Sequence, residues 1–221
     1  NSCSSEFILE STPLNPHDGQ PALIYAKTAL NRGKHVITAN KGTLVFGYKE
    51  LTALAAKRNK GFYYESAVMD GAPIFSLFRE ALPAVEIRSF RGILNSCTNY
   101  LLDLMAEGLP FEDAVQQGQK IGITETDPSA DIDGWDAAIK VSALSTVLFG
   151  IPLTPQQVNR TGIRGITMEM IAAAKQSGEK WKLVCSAERH GNQLLHASVT
   201  PQKVNSQSPL FNINGTSSYV V

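Results

Sequence analysis

The sequence predicts an α/β chain: a partial parallel sheet wound with helices, followed by an α+β region built on an open sheet. Three observations carry that reading. Short apolar runs alternate with helix-length stretches between Phe7 and Glu65. From Pro73 the rhythm changes to one strand followed by crowded helices. Near the C-terminal end, two long strand-like runs flank His190-Gly191-Asn192 in the pattern of a hairpin.

Taken in order, Phe7-Ile8-Leu9 is a short strand, and Ser11-Thr12-Pro13 turns the chain. Asp18 is the expected N-cap of a helix from about Pro21 to Asn31, stopped by Gly33. His35–Thr38 is the next buried strand. A helix is expected from about Tyr48 to Arg58, and Phe62–Glu65 is a third strand. Helices between such strands return the chain in the same direction, so the sheet is read as parallel. A doubly wound, Rossmann-type nucleotide domain opens with strand, GxGxxG and helix, and no GxGxxG occurs in these residues. The chain therefore reads as one cut before that loop, with both ends truncated and an open strand edge near Phe7-Ile8-Leu9. Beyond Pro73, Val85–Ile93 is expected as a strand, Thr98–Glu107 and Phe111–Ile121 as helices, and Gly134–Phe149 as a long helix capped by Asp133. Residues 168–177 read as helix, and Trp181–Glu188 with Gln193–Thr200 as the hairpin strands. Asn214-Gly215-Thr216 is a turn before a last strand.

Composition narrows the function. Twenty basic residues balance twenty acidic ones for a net charge of zero, which gives no footprint for nucleic acid or an anionic membrane. No apolar run approaches the roughly 20 residues of a membrane span. Cys3, Cys97 and Cys185 form no CxxC pair and the four histidines are scattered, against a disulfide framework or a zinc site and in favour of a reducing, cytoplasmic setting. The expected partner is a small molecule or another subunit.

Four segments carry residues suited to chemistry. Thr124–Lys140, TETDPSADIDGWDAAIK, places Glu125, Asp127, Asp131 and Asp133 in a loop that feeds a helix bearing Asp136 and Lys140. Those two are the only charges from Gly134 to Phe149. On so apolar a helix, charges are paired or face a cleft, and a lysine on a partly dry wall is suited to proton transfer. The plainer reading is an acidic helix start with one i,i+4 ion pair. His35–Gly42 delivers Lys41 at a strand's carboxyl end, where ligands of open α/β sheets sit; a solvated turn lysine is the alternative. Glu65–Pro73 ends a strand in small residues whose backbone oxygens would suit a hard cation, or simply make a tight turn. Cys97 stands at a helix start, where the dipole lowers a thiol pKa, as in phosphorylating semialdehyde dehydrogenases. Such enzymes need an activating histidine, and the next, His190, falls in the hairpin turn, so Cys97 is read as a small semi-buried residue.

The segments ALNRGKHVITANKG, YESAVMDGAPI, FRGILNSCTNYLLDLM, ITETDPSADIDGWDAAIK and SPLFNINGTSSYV, in that order, resemble homoserine dehydrogenases. The resemblance covers the chain from about Phe7 onward, and the fourth segment is the most specific. It implies interconversion of L-homoserine and aspartate 4-semialdehyde with NAD or NADP, on the route to threonine, methionine and isoleucine, in a homodimer. It further implies residues 1–72 as the later part of a nucleotide-binding domain, 73–208 as a catalytic and dimerisation domain, and 209–221 as the start of a return to the first.

Residue by residue, it implies Lys140 at the reacting oxygen and Lys41 as a second active-site lysine near the cofactor. Glu125 and Asp131 would hold the substrate's amino group, and Asp136 would line the site. Thr12, Pro13 and Gly215 would approach the cofactor. Glu65 with the backbone of Val68, Asp70 and Ala72 would hold a monovalent cation, Na+ or K+. Two departures stand out. Ser96-Cys97 replaces a Gly-Thr that meets substrate in relatives, so Cys97 takes a substrate-contact position, and Met69-Asp70 replaces a Gly-Gly. Two other functions are consistent with parts of the sequence: a thioester-forming, phosphorylating semialdehyde dehydrogenase using Cys97, and a non-catalytic module for amino-acid binding or subunit association.

Overall fold

A computed structural model describes residues 4–221, so Cys3 lies outside the described residues. The chain divides into two compact units, one running to Ile87 and including Ser142–Pro155, the other formed by Arg88–Val141 and Gln156–Val221.

The first unit holds a three-stranded parallel sheet of β1 (Phe7–Glu10), β2 (His35–Thr38) and β3 (Phe62–Tyr63), in that order. Helices α1 (Ala22–Asn31) and α2 (Lys41–Arg58) make the crossovers and pack through Ala26, Leu30, Leu44 and Leu51. Gly47 permits this approach, since a Cβ there would lie 2.1 Å from Leu23 Cδ1. The mixed α/β class read from the sequence holds, with a parallel sheet and a second, mixed sheet.

Several local expectations change. Helix α2 begins at Lys41, not near Tyr48, because Asn40 caps it by accepting the Gly42 N–H at 2.9 Å. The stretch stays helical although Gly42 and Gly47 are weak helix formers, since Gly47 lets Leu23 of α1 pack against it. Asp18 does not cap α1. Its carboxylate accepts the Gln20 N–H, and Pro21 occupies the N-cap position without a side-chain bond. Strand β3 ends at Tyr63, and Glu65 instead precedes the short helix α3 (Ser66–Met69). After it, α4 (Ile74–Ser76) runs into a π-helical turn, Leu77–Ala81, in a stretch for which no element was expected.

The second unit is a five-stranded sheet in the order β5-β7-β6-β4-β8, made of β4 (Ser89–Ile93), β5 (Asn159–Arg160), β6 (Glu179–His190), β7 (Gln193–Asn205) and β8 (Tyr219–Val220). All its pairs are antiparallel except β5 with β7. The hairpin β6–β7 is present as expected and longer. Strand β4 starts at Ser89 rather than Val85. Helices α5 (Ser96–Ala106), α6 (Phe111–Lys120), α7 (Ser129–Ile132), the first half of α8 (Trp135–Leu148) and α9 (Met168–Gln176) complete the unit. One cluster of the core joins Ile93, Val184, Val204 and Leu210, with Phe211, Ile213 and Tyr219 packed on it. Helix α5 contributes Leu101, Leu102, Leu104 and Met105, all buried. Among the described residues, no helix is long and apolar enough to cross a membrane.

Candidate active site

In the second unit, the residues before α5, the acidic loop and the start of α8 converge. Asp136 and Lys140 lie one turn apart on α8, on one face, as the i,i+4 spacing requires. Lys140 Nζ is 2.7 Å from Asp136 Oδ2 and donates to the Leu94 backbone oxygen at 2.7 Å. Their side chains are 16% and 21% exposed, while Ala137, Ala138, Ile139 and Val141 around them are buried. The pair is thus neither a solvated surface bridge nor sealed in the core. It presents an ammonium held by two acceptors at a partly exposed surface, and it is also the i,i+4 ion pair of the plainer reading.

Asn95 organises the acids, and sequence reasoning missed it. The expected helix began at Thr98, which left Asn95 unremarked; in the fold it caps α5, accepting the Thr98 N–H at 2.8 Å. Its amide nitrogen donates to Asp131 Oδ1 at 2.6 Å and to Asp136 Oδ2 at 3.0 Å, tying two carboxylates to one side chain. An Asn just before an apolar helix is an N-cap signature, and that signal was available. Burial raises the Asp131 pKa above its ordinary value; the Asn95 bond and Lys140 oppose the shift, while Asp136 and Glu125 add to it. Glu125 is exposed on the rim, and its backbone oxygen accepts from Gln119 Nε2 at 3.2 Å. Asp127 accepts the Ser129 N–H, and Asp133 pairs with Arg164 at 2.5 Å. Of the four acids, Asp131 is joined to Asp136 through Asn95, Asp127 and Asp133 hold their own loop, and Glu125 stays exposed with an electrostatic effect on Asp131.

Cys97 is buried at 5% exposure, with its sulfur 3.3 Å from Thr124 Oγ1. Burial, together with Asp131 and Asp136 nearby, pushes its thiol up to about 11. The dipole-lowered thiolate considered from sequence is thus overturned: desolvation and two carboxylates outweigh the helix end. Cys97 nevertheless borders the acids Asp131 and Asp136. Gly215 (φ +61) lies in a turn, with open space where a side chain would stand, and its N–H is held by Asp103 Oδ2 at 2.6 Å.

In the first unit, Glu10 is the organising group and also went unread. It is 5% exposed, and its carboxylate accepts from the Thr12 N–H (2.8 Å), Thr12 Oγ1 (2.5 Å) and Thr38 Oγ1 (2.5 Å). Asn40 adds a bond from its amide to the Thr12 oxygen at 3.0 Å. The carboxyl ends of β1 and β2 are so locked together, fixing Thr12-Pro13 and setting Lys41 as the first residue of α2. Glu65 accepts the N–H groups of Phe75 (2.7 Å) and Ser76 (2.9 Å), and Asp70 adopts a positive φ of 48°. Val68 is buried in α3, and Ala72 accepts the Ile74 N–H at 2.8 Å.

Comparison with known proteins gives a consistent answer. The family model for homoserine dehydrogenase matches residues 73–221. An NAD(+)-dependent homoserine dehydrogenase of Pseudomonas canavaninivorans is 39% identical over 218 residues, covering 99% of this chain and 62% of that protein. A homoserine dehydrogenase of Methanocaldococcus jannaschii is 39% identical over 213 residues, 96% of this chain and 62% of its own length. The crystal structure of a homoserine dehydrogenase from Thiobacillus denitrificans superposes with a TM-score of 0.86 at 32% identity, over 97% of this chain and 49% of that one. A hyperthermophilic archaeal homoserine dehydrogenase mutant in complex with NADPH gives 0.79 at 31% identity, over 98% and 61%. The chain thus spans about three fifths of the length of these two curated relatives. With its apolar helix presenting Asp136 and Lys140 beside Asp131, and these matches along nearly its whole length, the chain belongs to the homoserine dehydrogenase family.

Proposed function

We propose that this chain is the catalytic part of an NAD(P)-dependent oxidoreductase that interconverts L-homoserine and L-aspartate 4-semialdehyde. The observation that carries the reading is Lys140, fixed at a partly dry surface by Asp136 and the Leu94 oxygen. Oxidising an alcohol removes a hydride and a proton from the same C–OH unit. A bound nicotinamide supplies the two-electron acceptor. In the reducing direction Lys140, held by two acceptors, can give a proton to the carbonyl oxygen as hydride reaches its carbon; in the oxidising direction its neutral amine takes that proton back, so that no free alkoxide builds up. Asp131 and Glu125 supply negative charge for the substrate ammonium, and Asn95 keeps Asp131 aimed.

In the first unit, Thr12, Pro13 and Lys41 are the groups we assign to the nicotinamide end, and in the second, Gly215. The Thr12 backbone and the helix start at Lys41 fit that role, since each is held by bonds within the protein. Glu65 spends two of its roughly four acceptor positions on N–H groups. What remains, with the backbone oxygens of Val68, Asp70 and Ala72, fits a weakly held Na+ or K+ that would brace the turn after β3. We further assign the protein to the cytoplasm, as a homodimer, in the route to threonine, methionine and isoleucine.

The test is homoserine-dependent reduction of NAD+ or NADP+ by the complete gene product. No turnover with either cofactor would refute the reading. Because no GxGxxG loop occurs in these 221 residues, calorimetric titration of this chain by itself with NADPH should show no micromolar binding. The thioester alternative is disfavoured by the buried, high-pKa Cys97.

A further inference from the structure

Helix α5 carries a ladder of polar groups along one face: Asn95 at its N-cap, Asn99 one turn on and Asp103 one turn beyond. Asn95 serves Asp131 and Asp136. The other two serve a different element. Lys182, on β6, is fully buried at 0% exposure, and its ammonium donates to Asn99 Oδ1 (2.8 Å), Asp103 Oδ1 (2.8 Å) and the Ile213 oxygen (2.6 Å). Three donors meet three acceptors, so the charge is fully spent. Asp103 Oδ2 takes the Gly215 N–H at 2.6 Å, and the Asn99 amide donates to the oxygens of Ile213 (3.2 Å) and Gly215 (2.9 Å).

The segment held in this way lies in no helix or strand, so its backbone polar groups must find partners elsewhere. Beyond it, Ser218 Oγ lies 3.2 Å from Ser96 Oγ, and Tyr219 and Val220 pair with Ile93 and Gly92. Those are the residues leading into Leu94 and Asn95, the partners of Lys140, Asp131 and Asp136. A buried ion pair stabilises little compared with apolar residues of the same shape, so stability alone does not account for Lys182. What an apolar residue could not do is donate to the Ile213 oxygen while holding Asn99 and Asp103, which bind the backbone of Gly215.

We propose that Lys182 is a positioning residue which, with Asn99 and Asp103, latches the strap Ile213–Ser218 along α5, from Asp103 back to Ser96 at its N-terminal end, and so sets one edge of the active site. The latch rests on the reading of Lys140 and its neighbours as that site.

The experiment uses the complete protein and compares Asp103→Asn, Lys182→Met and the double variant Lys182→Met/Asp103→Leu. Asp103→Asn keeps an acceptor for Lys182 but turns a donor toward the Gly215 N–H. Amide exchange at Gly215 should accelerate, and kcat/KM for homoserine oxidation should fall about 10–100-fold, mainly through KM. Lys182→Met should behave likewise or fail to fold. The double variant should recover thermal stability, because its buried charges are gone, while KM stays raised. If stability and KM recover together, or Gly215 exchange accelerates while KM holds, the role is merely structural and the proposal falls. It also falls if Asp103→Asn leaves Gly215 exchange unchanged. Absence of homoserine turnover in the unmodified protein would instead strike the functional reading, and Gly215 exchange would still decide whether the latch exists.

Discussion

Replacing Lys140 by Met separates the catalytic demand on this residue from the structural one. Met keeps the length and apolar stem but abolishes the ammonium. Structurally, Asp136 loses its cation at 2.7 Å and Leu94 loses a donor, while Asn95 still binds Asp136 at 3.0 Å. Removing one partner of a sealed ion pair costs roughly 3–5 kcal/mol. Here both side chains keep some water, at 16% and 21% exposure, and Asp136 keeps its amide donor. The stability cost should therefore be about 1–3 kcal/mol. Losing a general acid or base costs 10²–10⁴ in rate, or roughly 3–5 kcal/mol of barrier. The barrier effect should exceed the stability effect, and the variant should remain folded enough to assay. Steady-state homoserine oxidation and thermal unfolding, measured on the complete protein, provide both numbers. A variant that keeps kcat/KM within tenfold of the parent would refute the proton-transfer role. So would an activity loss fully explained by the unfolded fraction.

Other substitutions test neighbouring claims. Cys97→Ser should retain most of the homoserine oxidation rate, and iodoacetamide should alkylate the native thiol slowly, because burial holds it protonated at neutral pH; a rate loss beyond about 10²-fold would revive the thioester mechanism. Asp131 has a folded pKa raised by burial, so its contribution to stability is intact below the ordinary value near 3.8 and is lost as pH rises through the folded value. At neutral pH Asp131→Asn should therefore raise the melting temperature while lowering activity, and the gain should vanish in acid; a lower melting temperature at pH 7 would contradict this. Gly162→Ala should destabilise by roughly 1–3 kcal/mol, since a Cβ there would lie 2.2 Å from the Ile132 oxygen and 2.6 Å from Asp133 Cα, both backbone atoms that cannot swing aside. Urea unfolding at unchanged m-value would measure it.

Much of the fold lay in local pattern. The spacing of apolar runs located β1, β2, α8, α9 and the β6–β7 hairpin, because period and turn residues act through neighbours in sequence. The same locality exposed Asp136 and Lys140, whose charges stand out on an apolar helix whatever surrounds it. Element ends were less legible. Helix α2 starts at Lys41 behind the Asn40 cap, seven residues before Tyr48, and the short β3 ends where Glu65 turns to bind the N–H groups of Phe75 and Ser76.

What only the tertiary structure decided were the groups whose importance lies in distant partners. Glu10, Asn95 and Lys182 are unexceptional in sequence: a strand-end acid, an asparagine before a helix, a lysine in a strand. Each becomes decisive through bonds to residues far along the chain: Glu10 to Thr38, Asn95 to Asp131 and Asp136, and Lys182 to Asn99, Asp103 and Ile213. Cys97 shows the converse. Its position at a helix start suggests a reactive thiolate, but the fold buries it against two carboxylates and reverses the shift. The helix dipole is a property of local sequence, whereas desolvation and the charges across the site exist only once the chain has folded.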